Sequence, residues 1–174
     1  MDTLFGLPAH PFLVHIPIVL LPVAAIGVVL MVIKRRWYER YRWVVLAIGA
    51  VGTVGAILAA DAGEALESRI VAVVGRAKAS SWEHHADLGD TAQTFAIVFF
   101  IVLAAFVLVP WIMERFGSSS HETGGTSRHR VLYIVLAALA VIGAAGSVTT
   151  IIQAGHTGSK SVWEEYVAKT SNGG

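Results

Sequence analysis

The sequence predicts an all-α integral membrane protein, a four-helix bundle with both termini on the outer side of the membrane. Composition is the first sign: 55% of the 174 residues are hydrophobic and only 14% are charged, whereas soluble domains carry about 25% charged residues. Second, four apolar runs each approach the roughly 20 residues that a helix needs to cross the hydrocarbon core. Third, cations concentrate after the first and third runs, which fixes an orientation.

The apolar runs place the four spans at about residues 11–33, 43–60, 91–113 and 131–153. The first run is longer than the apolar region of a signal peptide and follows no Lys or Arg, so we expect it to remain a span. Little is left for a separate soluble domain. Residues 1–168 are therefore predicted to form a single membrane domain, followed by a disordered tail at 169–174.

The loops at 34–42 and 114–130 are predicted to lie inside. The first of them holds five cations in nine residues, and the second holds Arg115, Arg128 and Arg130. Positive residues are retained on the cytoplasmic side, so both termini should lie outside. Gly and Ser dominate residues 117–127, which is typical of a flexible linker.

The outer connection at 61–90 is predicted to contain a short amphipathic helix at the membrane interface. Residues 63–74 alternate polar and apolar positions at helical spacing, and Gly75 is expected to end this helix. The run Ser80-Ser81-Trp82-Glu83 has the form of a capping box. It predicts a new helix that continues through His84 and His85 into the third span.

Five of the seven histidines fall at the predicted outer ends of the spans: His10, His15, His84, His85 and His156. Ionisable side chains beside hydrocarbon are costly and often functional, so their convergence at one level predicts a site. His15 should face the bundle, because lipid exposure there is unfavourable. His84 and His85 point about 100° apart on a helix, so one of them faces inward, and Gly89 one turn away favours His85.

Two kinds of cofactor fit these residues. Two histidines on different helices can hold haem iron axially, with His15 and His85 as the preferred pair and His10 and His156 as a second pair or as supporting donors. Glu64 would orient one of these histidines by accepting a hydrogen bond from the ring N–H that does not face the iron. Alternatively, a Zn, Cu or Fe ion is bound by His10, His15, His85, His156 and Glu64. The absence of cysteine excludes disulfides, iron–sulfur clusters and thiolate ligands.

The sequence therefore predicts a haem b protein that transfers electrons at the outer membrane face, rather than a hydrolase or a transferase. The alternatives are a non-haem metal-binding membrane protein and a non-catalytic accessory subunit of a larger membrane complex. The lipid bilayer is the expected surrounding, and small residues in the second and fourth spans allow packing against a respiratory or other membrane complex or a second copy of the chain. No nucleic-acid partner is expected.

Four segments resemble a bacterial membrane family known as domain of unknown function 2231. They are the HPxxVHxP opening within residues 6–17, Gly63-Glu64-Ala65-Leu66-Glu67, His85-Ala86-Asp87-Leu88-Gly89-Asp90, and Gly155-His156-Thr157-Gly158. The resemblance implies a four-helix fold in the bacterial inner (cytoplasmic) membrane, similar in layout to small b-type cytochrome domains. It points to His10, His15, His85 and His156 and leaves His84 outside the pattern.

Overall fold

Long helices form almost the whole of the chain. The computed structural model describes residues 3–116 and 125–171. Its elements are a two-residue strand pair, a single-turn helix and four long helices: β1 Thr3–Leu4, β2 Leu7–Pro8, α1 His10–Leu13, α2 His15–Ile33, α3 Arg35–Val74, α4 Arg76–Phe116 and α5 Gly125–Ser171. The strands pair antiparallel, with Thr3 opposite Pro8.

Four segments are long and apolar enough to cross a membrane: His10–Ile33, Arg35–Val73, Glu83–Phe116 and His129–Lys160. Large apolar side chains cover their outer surfaces, as Ile26, Ile101 and Ile142 are each at least 60% exposed. Such surfaces suit lipid, where apolar exposure carries no cost. The predicted membrane four-helix fold is confirmed.

The long helices form a ring in which α2 packs on α3 and α5, and α4 packs on α3 and α5. Glycines bring α2 and α3 together. A Cβ atom added to Gly52 would lie 3.0 Å from the side chain of Leu21, and one added to Gly55 would overlap Ile16. Close backbone approach of this kind is the usual basis of helix association in lipid.

Each long helix buries one stripe whose members are separated alternately by three and four residues. The members are Pro17, Leu21, Ala24, Val28 and Met31 on α2; Val45, Gly49, Gly52, Ala56 and Ala59 on α3; Ala92, Ala96, Phe99, Leu103 and Phe106 on α4; and Ala137, Ala140, Ala144, Ser147 and Ile151 on α5. This spacing keeps one face of each helix toward the bundle axis, as in coiled coils. We refer to these positions as the core stripes.

The predicted interfacial helix at 63–74 is not a separate element, because α3 runs unbroken from Arg35 to Val74. At about 1.5 Å per residue its 40 residues extend about 60 Å, roughly twice the hydrocarbon thickness. Gly75, with φ +81°, ends it as expected. The next helix begins at Arg76 rather than at the capping box, and it continues through His85 as predicted.

The predicted inner loop at 34–42 is also helical from Arg35 onward, and only Lys34 is extended. Arg, Glu and aromatic residues sustain a helix outside lipid, so the end of an apolar run does not mark the end of a helix. Similarly, α4 continues to Phe116 and α5 begins at Gly125. Residues 117–124 of the predicted linker lie outside the described part of the chain, as do residues 172–174 of the tail, whereas 169–171 belong to α5.

Candidate functional site

A cleft of about 1100 Å³ opens at the end of the bundle where α2 begins and α3 leaves the core. We call it the histidine cleft. All five helices contribute to its walls, and His10, Gly63, His85 and Gly158 lie on α1, α3, α4 and α5 respectively. Its volume is slightly above the range of roughly 300–1,000 Å³ that is typical of small-molecule sites.

His10 and His85 meet inside this cleft. Their ring centroids are 6.0 Å apart and their planes cross at 78°. Both side chains are partly buried, although one belongs to α1 and the other to α4, 75 positions later in the chain. Two imidazoles at this separation are close enough for one ion to lie about 2.0–2.1 Å from a nitrogen of each ring.

Hydrogen bonds determine which nitrogen of each ring is available. Nδ1 of His10 donates to the carbonyl oxygen of Ala59 at 2.7 Å. Nδ1 of His85 lies 3.4 Å from Oγ1 of Thr157, and that hydroxyl donates to the carbonyls of Gln153 and Ala154. The Thr157 oxygen therefore accepts from His85. These contacts favour the tautomer with the proton on Nδ1 in both rings, which leaves the Nε2 lone pair for a ligand.

Two glycines provide the space that the rings occupy. A Cβ atom on Gly63 would lie 3.1 Å from Nδ1 of His10, and one on Gly158 would lie 2.8 Å from Cε1 of His85. Any larger residue at position 158 would displace the imidazole. By contrast, a Cβ on Gly155 or Gly89 meets no atom within 4 Å, although both residues also line the cleft.

Carboxylates dominate the charge of the cleft. Five acidic residues line it: Glu64, Glu67, Glu83, Asp87 and Asp90. No Lys or Arg belongs to its lining among the residues that the structure describes. The field inside the cleft therefore favours cations.

The structure brings together some of the predicted site residues and separates others. His15 and Glu64 are exposed and line the cleft beside the His10–His85 pair. His156 is exposed and does not line it, and the same holds for His84. Within residues 3–116 and 125–171, no three His, Asp or Glu side chains are grouped closely enough to form a complete metal site.

Sequence reasoning missed Thr157 and Gly158, which support His85, although both fall in the run that drew attention to His156. The core stripes contain a signal that separates them. Continued toward the cleft by the same alternation, the four stripes include His10, Gly63, His85 and Gly158. The exposed His84 and His156 fall off these stripes. Rotation about the helix axis, rather than depth, distinguishes the residues that meet.

Four apolar helices, with a cleft lined by histidines and carboxylates as well as apolar side chains at one end of their bundle, define a multi-pass membrane protein. The chain belongs to the family described as "Predicted membrane protein (DUF2231)", which matches residues 6–171 and thus includes every residue of the cleft. Neither a curated protein nor a solved structure matches the chain.

Proposed function

We propose that this protein binds a transition-metal cation in the histidine cleft, with His10 and His85 as ligands through Nε2. Two imidazoles combined with carboxylates form a donor set that suits Zn²⁺, Cu²⁺ or Fe²⁺. Glu64, which is exposed and lines the same cleft, is the proposed third ligand, with water completing the coordination. The positive-inside rule supports an extracytoplasmic location of this site in the bacterial inner membrane.

The observation that carries the proposal is the paired arrangement of the two rings. The two rings come from different helices, and each has Nδ1 directed to a protein oxygen. Each is also accommodated by a glycine of another helix, Gly63 of α3 for His10 and Gly158 of α5 for His85. A histidine that serves only packing does not need a second histidine 6.0 Å away. Metal-bound histidines typically have the opposite ring N–H fixed by a carbonyl or another acceptor.

The test is metal binding by the full chain, purified in detergent and stripped with a chelator. Calorimetric titration with Zn²⁺ and, separately, Cu²⁺ should show one saturable site per chain. His10→Ala and His85→Ala should each lower the affinity at least tenfold, because removal of one of two histidines removes half of the fixed ligands. Elemental analysis of the protein before stripping identifies the metal acquired in the cell.

His84→Ala is the matched control, since His84 is the neighbour of His85, is exposed and does not line the cleft. His156→Ala is a second control on α5. Both variants should bind the metal as the unaltered protein does. Equal loss in His84→Ala and His85→Ala would contradict the proposal, and so would the absence of saturable binding by either metal.

A haem b redox protein is the second candidate, and the size of the cleft favours it. About 1100 Å³ bounded largely by apolar side chains such as Ile18, Leu66 and Ile70 would accommodate a macrocycle. His10 and His85 come from two different helices, as the two axial ligands of haem iron commonly do. The five acidic residues of the cleft favour a metal ion without haem, because they would repel the negatively charged propionate groups of haem. A Soret band from haem-replete cells, lost in His85→Ala and retained in His84→Ala, would decide for haem and electron transfer.

A further inference from the structure

The opposite end of the bundle holds a second cavity, of about 400 Å³, between the beginnings of α3 and α5 and the last turns of α4. We call it the basic pocket. Arg35 and Arg130 are its cations, Glu114 is its acidic residue, and His129 also lines it. Met113 and Leu132 form part of its apolar wall. The pocket therefore combines cations with an apolar surface at the end of the apolar spans.

Arg35 is held in one position at this pocket by aromatic rings and carboxylates. Its guanidinium lies 5.5 Å from the ring centre of Tyr38 and 5.8 Å from that of Tyr133. It also contacts Glu39 at 3.1 Å and Glu114 at 3.3 Å. Stacking and ion pairing fix one cation, and a cation that is already ordered loses little entropy when it binds an anion.

His129 and Arg130 remain available to a ligand. Both are exposed, and neither makes a hydrogen bond or an ion pair with another residue of the described ranges 3–116 and 125–171. More cations lie at this end of the protein, because Lys34, just before α3, and Arg36 and Arg40, in its first turns, are exposed. Together they attract an anion to this end of the protein.

We infer that the basic pocket binds the phosphate headgroup of an anionic phospholipid, with an acyl chain along the apolar wall. Val131, Leu132, Ile112 and Phe116 are exposed apolar residues beside the cations, and a free phosphate would make no use of them. Pockets of basic residues at the cytoplasmic ends of membrane helices commonly hold such headgroups. This inference concerns the opposite end of the bundle and is independent of the proposed metal site.

Native mass spectrometry of the full chain, released from detergent micelles, measures the binding directly. The probes are phosphatidylglycerol and phosphatidylcholine with identical acyl chains, which differ in net charge. One phosphatidylglycerol per chain should be retained with at least tenfold preference over phosphatidylcholine. Arg130→Gln should weaken this binding about fivefold, the effect of one cation near an anionic headgroup.

Arg115→Gln is the matched control, because Arg115 is an exposed cation at the same end that does not line the pocket. It should retain phosphatidylglycerol, and His129→Gln provides a second pocket variant should Arg130→Gln fold poorly. Equal retention of the two lipids would overturn the inference, as would equal losses in Arg115→Gln and in the pocket variants. Displacement of the lipid by inorganic phosphate at millimolar concentration would assign the pocket to free phosphate and overturn it as well.

Discussion

Polar side chains are arranged differently at the two ends of the bundle. At the basic end several charges are paired across helices, as Glu114 accepts from Arg35 and lies 3.8 Å from Arg42. Aromatic rings fill the space between them, with Tyr38 fully buried against Phe106 and Tyr133. At the histidine end, five acidic residues and two close imidazoles face a large cleft whose described lining contains no Lys or Arg.

We expect this difference to separate stability from metal binding. Paired charges and buried aromatics at the basic end connect α3, α4 and α5, so substitutions among them should change the free energy of unfolding. The histidine cleft has five acidic residues and no Lys or Arg in its described lining, a charge balance that favours a cationic ligand. Substitutions there should change ligand affinity and leave unfolding nearly unaltered. Four variants test this separation.

The largest effect is expected for Gly158→Ala in the histidine cleft. The new methyl group would lie 2.8 Å from Cε1 of His85, and α5 is a regular helix that does not yield, so the imidazole must turn away. We expect Zn²⁺ affinity, measured by calorimetry, to fall roughly 10–100-fold, as it does when ligand orientation is lost.

Gly155→Ala is the control for this variant. It lies on the same helix, lines the same cleft and gains the same helix propensity, yet its methyl group meets no atom within 4 Å. Unchanged affinity in Gly155→Ala beside a large loss in Gly158→Ala would attribute the effect to the position of His85. Equal affinities in both variants would show that the cleft does not depend on this contact.

Most of the fold is readable from the sequence, because lipid demands long apolar runs and these stand out against the polar loops. The helix ends are not readable in the same way. Hydropathy falls at Asp61 although α3 continues to Val74, since backbone hydrogen bonds and helix-forming residues extend the helix beyond the apolar run. A fall in hydropathy along the sequence indicates where the hydrocarbon region ends, and it does not indicate where the helix ends.

The candidate site, like the fold, can be predicted from the sequence only in part. The inward position of His85 follows from its spacing to Ala92 and Ala96, and His10 follows in the same way from Pro17 and Leu21. The sequence could not show that these two rings meet, because α1 and α4 are not consecutive and their distance depends on the packing of the whole ring. Grouping histidines by depth selected His156, whose side chain lies off the core stripe of α5.

The second largest effect is expected for Tyr38→Phe at the basic end. The hydroxyl donates to the carbonyls of Phe106 and Val107 at 3.2 and 3.3 Å, and its removal should lower the free energy of unfolding by about 1 kcal/mol, within the range of membrane hydrogen bonds. SDS titration in mixed micelles measures this. Tyr41→Phe, on an exposed residue of the same helix, should have no effect. A change in Zn²⁺ affinity would contradict the separation of the two ends.

Substitution of Ser147, which lies on the core stripe of α5 between the two ends, should raise the free energy of unfolding. Its Oγ is buried and has no hydrogen-bond partner among the described residues, so Ser147→Ala removes an unsatisfied group and should stabilise by about 0.5–1 kcal/mol. Thr150→Val is the control with the opposite sign, because that hydroxyl donates to Gly146 and Ser147 carbonyls. SDS unfolding midpoints that fall in both variants would show that the Ser147 hydroxyl is satisfied in the folded protein.

The smallest effect is expected for Glu114→Gln, which removes the acid shared by Arg35 and Arg42. The Glu114 side chain is 53% exposed, so the loss in unfolding free energy should be below about 0.5 kcal/mol. It should also vanish near 1 M salt, where the Debye length is about 3 Å. Comparison of SDS midpoints at low and high salt measures both. Zn²⁺ affinity should stay constant, because Arg35 and Gly63 are 28 positions apart on α3, which places the cleft about 42 Å away. A salt-independent loss would instead assign Glu114 a packing role, and the basic end would then depend on its aromatic rings more than on its charges.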